Sequence, residues 1–279
     1  MVPVHPPELA SVARRAEELG FESLWVGEHV VTPWELSERY PGPTGKPPFL
    51  PDSRFVEPFA ALSHLAAVTN RVKLGTGVLV LPLHSPFHLA RAIATTDVLS
   101  GGRLLLGLGA GWMVDEFDIT HEEWSNRGAR MDEALVVLDT LWNEERATHD
   151  GPYYPFPAVG FEPKPVQRPH PPFLIGGGSP AALRRAARVG DGWYGTGGTP
   201  EAIAPLLTEV HRRRADLGRD HLPFDVTVST GWGVGFDGDV TKAYEDLGVH
   251  RIVVTPWPRS REALASIERF AAEAGLEKP

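Results

Sequence analysis

One pattern constrains this chain more than any other. Short runs of β-branched and apolar residues alternate with stretches of helical period along all 279 residues. Ser23-Leu24-Trp25-Val26, residues 72–81, residues 103–108, Phe173-Leu174-Ile175, the run opened by Gly192-Trp193-Tyr194, residues 224–234 and residues 251–255 read as strands. Residues 7–19, 58–69, 86–99, 126–142, 180–189, 200–217, 239–247 and 260–274 carry apolar side chains at helical spacing. Repeated strand–helix units within one domain predict a parallel sheet covered by helices. Such a sheet either stays open and doubly wound or closes into a (β/α)8 TIM barrel. The length suits a single barrel domain over residues 1–279.

Seven strand–helix units are readable. An eighth strand belongs ahead of the first helix, where only Met1-Val2-Pro3-Val4 stands. The first strand is therefore expected to be short or missing, with Val2 to Val4 at most a stub. Its absence would leave unpaired strand edges, open to cover by a neighbouring chain. Two segments break the rhythm. Residues 30–56 are polar and Pro-rich, and are predicted to form a loop over a site. Residues 146–172 mix Pro, Gly and aromatics, and are predicted to be an insertion with a small hairpin.

Composition narrows the function. The formal charge is −9, from 27 basic and 36 acidic side chains. A net acidic surface repels phosphate backbones, so no nucleic-acid partner is expected. Arg212-Arg213-Arg214 lies in a helical pattern and reads as a solvated helix face. There is no cysteine, which excludes disulfides, thiolate catalysis and zinc–cysteine sites. No apolar run is long enough for a bilayer and no secretory signal opens the chain, so no membrane and a cytoplasmic location are expected.

In α/β barrels the working residues sit at the C-terminal ends of strands. Four strand ends stand out here. Glu28-His29 closes the first strand; a histidine there can give or take a proton near neutrality. Gly75-Thr76-Gly77-Val78 puts two glycines in a buried strand, the mark of a bulge or of a ligand's close approach. Gly107-Leu108-Gly109-Ala110-Gly111-Trp112 gives backbone clearance with an aromatic beside it, and no helix is evident after it. Gly176-Gly177-Gly178-Ser179-Pro180 runs straight into a helix. Its backbone N–H groups and the helix N-terminus suit a phosphate, and Ser179 suits the N-cap. The acids Asp115, Glu116 and Asp118, then Glu122 and Glu123, read as a solvated loop or helix start. His64, His84, His88 and His121 are scattered, so no metal site is expected. Trp34, Tyr40 and Phe49 predict an aromatic pocket wall.

These strand ends, in this order, resemble the luciferase-like monooxygenase superfamily, and within it the coenzyme F420-dependent branch. The residues that carry the resemblance are Ser23-Leu24-Trp25-Val26-Gly27-Glu28-His29, Lys73-Leu74-Gly75-Thr76-Gly77-Val78, Leu99-Ser100-Gly101-Gly102-Arg103, Gly109-Ala110-Gly111-Trp112, Pro163-Lys164-Pro165-Val166-Gln167, and Ile175-Gly176-Gly177-Gly178-Ser179 with Gly190-Asp191-Gly192-Trp193. The resemblance implies a bacterial-luciferase-like barrel and an oxidoreductase acting on a small organic substrate. It implies coenzyme F420 as cofactor, with FMN and oxygen as the alternative, and a homodimer. Glu28 and His29 match an acid–His pair near the ring. Gly77 and Val78 match a bulge, often with a non-prolyl cis peptide, that supports the ring. Gly109, Ala110, Gly111 and Trp112 line the cleft, and Gly176, Gly177, Gly178 and Ser179 match the phosphate turn. The chain departs from the family in its missing first strand and in His84, where an arginine is frequent. A cofactor-binding subunit without activity is the third reading, motivated by the missing strand.

Overall fold

The computed structural model describes residues 4–37, 45–47, 49–232 and 238–277. Its main sheet holds seven strands, all parallel: β1 (Ser23–Val26), β2 (Lys73–Val80), β3 (Leu104–Gly109), β6 (Phe173–Gly176), β7 (Gly192–Thr196), β8 (Asp225–Trp232) and β9 (Arg251–Thr255), hydrogen-bonded in that order. The missing numbers, β4 (Ala147–His149) and β5 (Phe156–Val159), form a separate antiparallel hairpin in the predicted insertion.

The helices cover the outside of the sheet. α1 (Leu9–Glu18) buries Val12, Ala13 and Ala16. α2 (Pro58–Val68) is capped by the Glu57 carboxylate, which accepts from the N–H groups of Phe59 and Ala60. α3 (Pro86–Ser100) stops at Gly101, whose φ of 66° is left-handed. α4 (Val114–Ile119) and α5 (Arg127–Asn143) follow β3. α6 (Pro180–Val189) and α7 (Pro200–Asp216) are capped by Ser179 and Thr199, and α8 (Gly238–Asp246) and α9 (Ala263–Glu273) complete the series. A parallel sheet with helices on its outer face must bury both faces of its strands, and all six residues of β3 are buried. Outside the sheet, Leu62, Leu65, Ile93, Leu106 and Trp142 join one large core. Inside it, Trp25, Leu105, Leu174, Tyr194 and Val253 pack together.

The barrel is nearly closed. Among the described residues β1 and β9 are its two edges, and neither pairs with an eighth strand. Val4 is coil rather than the tail of a strand; Met1, Val2 and Pro3 lie outside the described residues. At the N-terminal ends of the edges, Arg251 bridges the gap. Its guanidinium donates to Glu22 at 2.7 and 3.0 Å and to Asp225 at 2.9 Å. Between the edges lies a cavity of about 130 Å³, lined by apolar side chains that include Val4, Leu24, Val26, Ile252 and Trp257. α1 and α9 close it from outside, through Val12 and Ala16 against Ile267 and Ala271.

Two other expectations change. A helix, α4, does follow Trp112, beginning two residues after it. The basic run is not all solvated: Arg214 is buried, donates to the carbonyls of Arg219 and Leu222, and lies over the Phe224 ring. Among the described residues no helix is long and apolar enough to cross a membrane, and no group of three or more acidic or histidine side chains is placed to hold a metal.

Candidate active site

The C-terminal strand ends converge on one mouth of the barrel. Its floor is built by the irregularity in β2. The register against β3 shifts between Thr76 and Leu79, and the Gly77–Val78 peptide is cis. Val78 packs onto the interior cluster of Trp25, Leu105, Leu174, Tyr194 and Val253. The flanking glycines then have a physical reason. A Cβ on Gly109 would stand 2.9 Å from Val78 Cγ2, and one on Gly176 3.1 Å from Val78 Cγ1. Carbon atoms prefer about 3.5–4.0 Å. Gly109 and Gly176 are thus the seats of Val78, and the valine roofs the barrel interior with a small apolar platform. Beneath it Tyr194 is fully buried, and burial raises its hydroxyl pKa above the ordinary range.

One side of the mouth holds His29. Its ring lies 4.4 Å from Phe49 and 4.9 Å from Phe55, with Trp112 edge-on at 6.1 Å. The expected acid–His pair is not formed by neighbours in sequence. Consecutive side chains of extended backbone point to opposite sides, and Glu28 and His29 take different partners. His29 Nδ1 lies 3.1 Å from Glu116 Oε2. The other oxygen of Glu116 accepts from the N–H groups of Val30 at 2.8 Å and Val31 at 3.4 Å. Glu116 is therefore a buried carboxylate, 2 % exposed, and not part of a solvated acidic loop. Nothing local in the sequence marks it, because its partners lie 85 to 87 residues away.

Glu28, also buried, accepts from the Val80 N–H at 2.7 Å and pairs with His84 Nε2 at 2.8 Å. Burial pushes the His84 pKa down. The hydrogen bond and charge of Glu28, with the charges of Glu57 and Glu116, outweigh it, and the net shift is upward. Glu28 thus ties the end of β1 to the end of β2, with His84 as its second partner.

The opposite side of the mouth is the turn after β6. Gly177 has φ of 104°, its N–H donates to the Tyr194 carbonyl, and its own carbonyl accepts from Trp193 Nε1. Gly178 and Ser179 are exposed. The Ser179 hydroxyl accepts from the Ala182 N–H at 3.2 Å, as an N-cap does. The first turn of α6 carries no acidic side chain. Of the aromatic residues expected to line the pocket, Phe49 packs on His29, whereas Trp34 is 84 % exposed; Tyr40 lies outside the described residues.

The comparisons with known proteins now decide the family. The luciferase-like monooxygenase model matches residues 2–239. The chain belongs to that family. Its members are oxidoreductases, and so is this chain. It is 32 % identical to an F420-dependent glucose-6-phosphate dehydrogenase of Kribbella flavida over 284 aligned positions, 98 % of this chain and 78 % of that one. Among solved structures it resembles monooxygenase RslO1 from Streptomyces bottropensis, with a TM-score of 0.77 at 24 % identity over 96 % of this chain and 92 % of that one. An F420-dependent secondary alcohol dehydrogenase, solved with an F420–acetone adduct, gives a TM-score of 0.77 at 16 % identity over 98 % of this chain and 96 % of that one. Both likenesses concern the fold.

Proposed function

We propose that this protein binds coenzyme F420 and transfers hydride between the deazaflavin and a small organic substrate. The observation that carries the reading is the kinship, over nearly the whole chain, with an F420-dependent dehydrogenase. The residues present fit such a cofactor. The Val78 platform suits a flat ring, with Gly77 beside it. The exposed turn at Gly178 and Ser179, led into by the half-buried Gly176 and Gly177 and set at a helix N-terminus free of acidic side chains in its first turn, suits a phosphate. Gly109 ends β3, the strand between the two, and Ala110, Gly111 and Trp112 follow directly. The bulge on β2 and the turn after β6 are two strand spacings apart, about 10 Å along the sheet.

When bound, the deazaflavin gives or takes a hydride at its ring carbon. The protein's part is to place the substrate and balance the charge. In an alcohol–carbonyl interconversion the substrate oxygen loses or gains one proton for each hydride moved. His29 is the group at the mouth able to exchange it, through Nε2, because Nδ1 is engaged by Glu116. Phe49, Phe55 and Trp112 surround the imidazole and exclude water from it. Glu28 acts on the frame, joining two strand ends. Val30, Val31, Phe49 and Phe55 flank this side of the site, and the segment 30–56 that carries them sets which substrate enters. A cytoplasmic homodimer belongs to the same reading.

FMN with oxygen is the second reading, favoured by the likeness to a monooxygenase. Fluorescence titration of the purified protein with F420 and, separately, with FMN decides between them. Saturable binding of F420 without binding of FMN is expected. Preference for FMN, with oxygen uptake during turnover, would replace the deazaflavin reading; tight binding of a cofactor without any turnover would favour the non-catalytic one, and binding of neither would overturn both catalytic readings.

A further inference from the structure

The carboxylate of Glu116 does two things at once. One oxygen faces the His29 imidazole; the other gathers the N–H groups of Val30 and Val31, the first residues of the segment over the site. The next acid along the chain on the N-terminal side works on the same segment, since Asp115 accepts from the Ser37 N–H at 3.1 and 3.2 Å. The short helix α4 thus clasps the segment at two points. Only Glu116 reaches the histidine.

We infer that Glu116 is a positioning residue that holds His29 in its Nδ1–H tautomer, so that the neutral ring presents the Nε2 lone pair to the substrate. The inference rests on the role given to His29 above. Its physical basis is a count of donors and acceptors. An ionised carboxylate only accepts. Val30 and Val31 already donate to Oε1, so Oε2 requires a donor from the imidazole, and Nδ1 must carry the hydrogen. The neutral ring then has its lone pair on Nε2. Such a ring takes a proton from a substrate hydroxyl: the O–H bond breaks, its electron pair stays on oxygen, and the proton forms a bond to Nε2. In the reverse direction the imidazolium returns that proton to a carbonyl oxygen as the hydride arrives at carbon.

The substitution Glu116→Gln makes a sharp test, because a glutamine has one acceptor and one donor end. Its oxygen is claimed by the two backbone N–H groups. Its NH₂ then faces Nδ1, which must become the acceptor, and the hydrogen moves to Nε2. Imidazole 15N chemical shifts and long-range 15N–1H couplings of His29, measured on the cofactor-free protein at a pH where the ring is neutral, report the tautomer directly. Wild type is expected as Nδ1–H and Glu116→Gln as Nε2–H. Asp118→Asn, an exposed acid on the same helix, should leave the wild-type pattern. With F420 bound, kcat for hydroxyl oxidation should fall about 10²-fold in Glu116→Gln, while F420 affinity is retained. A wild-type ring in the Nε2–H form overturns the inference, and needs no variant to fold. So does an unchanged tautomer in Glu116→Gln. Failure of the wild type to bind F420 would instead overturn the proposed function and leave the tautomer result standing.

Discussion

Gly109→Ala tests whether the platform at the barrel mouth is as tightly seated as its geometry requires. Gly109 lies outside the left-handed region, so alanine meets no backbone strain there. The problem is space. The new methyl would sit 2.9 Å from Val78 Cγ2, about 0.6–1.1 Å inside a comfortable carbon contact. The valine has little room to retreat: Gly176 approaches its other methyl, and its branched side chain is stiff at χ1. Overpacking of this kind costs about 1–3 kcal/mol. Replacing glycine also narrows the unfolded ensemble, which offsets about 0.4–1 kcal/mol. The net destabilisation is about 0–2.6 kcal/mol, a fall in Tm of up to about 10 °C at roughly 2–4 °C per kcal/mol. Thermal and denaturant unfolding of Gly109→Ala, Val78→Ala and the double variant form a cycle. Val78→Ala removes the atoms that clash, so the double variant should be more stable than the sum of the singles predicts, by about 1–3 kcal/mol. Strict additivity would refute the seating argument. The same protein samples, titrated with F420, should show weaker binding for Gly109→Ala, since lifting Val78 raises the floor on which the ring is proposed to lie.

Two further outcomes follow from the edges of the site and of the sheet. The His84 pKa is raised in the fold, so its ion pair with Glu28 contributes fully below the unfolded value of about 6.5 and fades as pH rises through the higher folded value. NMR titration should place the His84 midpoint above 6.5 as that approximate reference, and Glu28→Gln should lower it; a midpoint unmoved by Glu28→Gln would show that the pairing does not govern it. At the open edges, the Glu22 carbonyl and the His250 N–H are turned toward β2 and β8, so by alternation the N–H groups of Trp25 and Val253 face the cavity between β1 and β9. Native-state hydrogen exchange should be faster, by about 10-fold or more, at Trp25 and Val253 than at Leu24 and Ile252; equal protection would mean that the gap is bridged.

Much of this protein was legible in its sequence, because much of it is local. Strand and helix periods, the caps at Ser179 and Gly101, the bulge at Gly77 and Val78, and the glycine turn into α6 depend on residues within a few positions of one another. What Gly109 is for was only half legible. Two glycines in a strand signal close approach, but not that the approaching group is Val78 from the neighbouring strand. The partners of Glu28, His29 and His84 were not legible at all. Adjacent residues in a strand look paired on paper and face apart in space. Glu116 carried no local mark, since a buried carboxylate and a solvated one have the same sequence signature until something folds onto them. The chain by itself determined which segments become strands and helices and which strand ends are chemically equipped. Only the pairing of β1, β2 and β3 in one sheet brought α4 to the end of β1, because hydrogen bonds across 87 residues exist only when the sheet holds both ends in place.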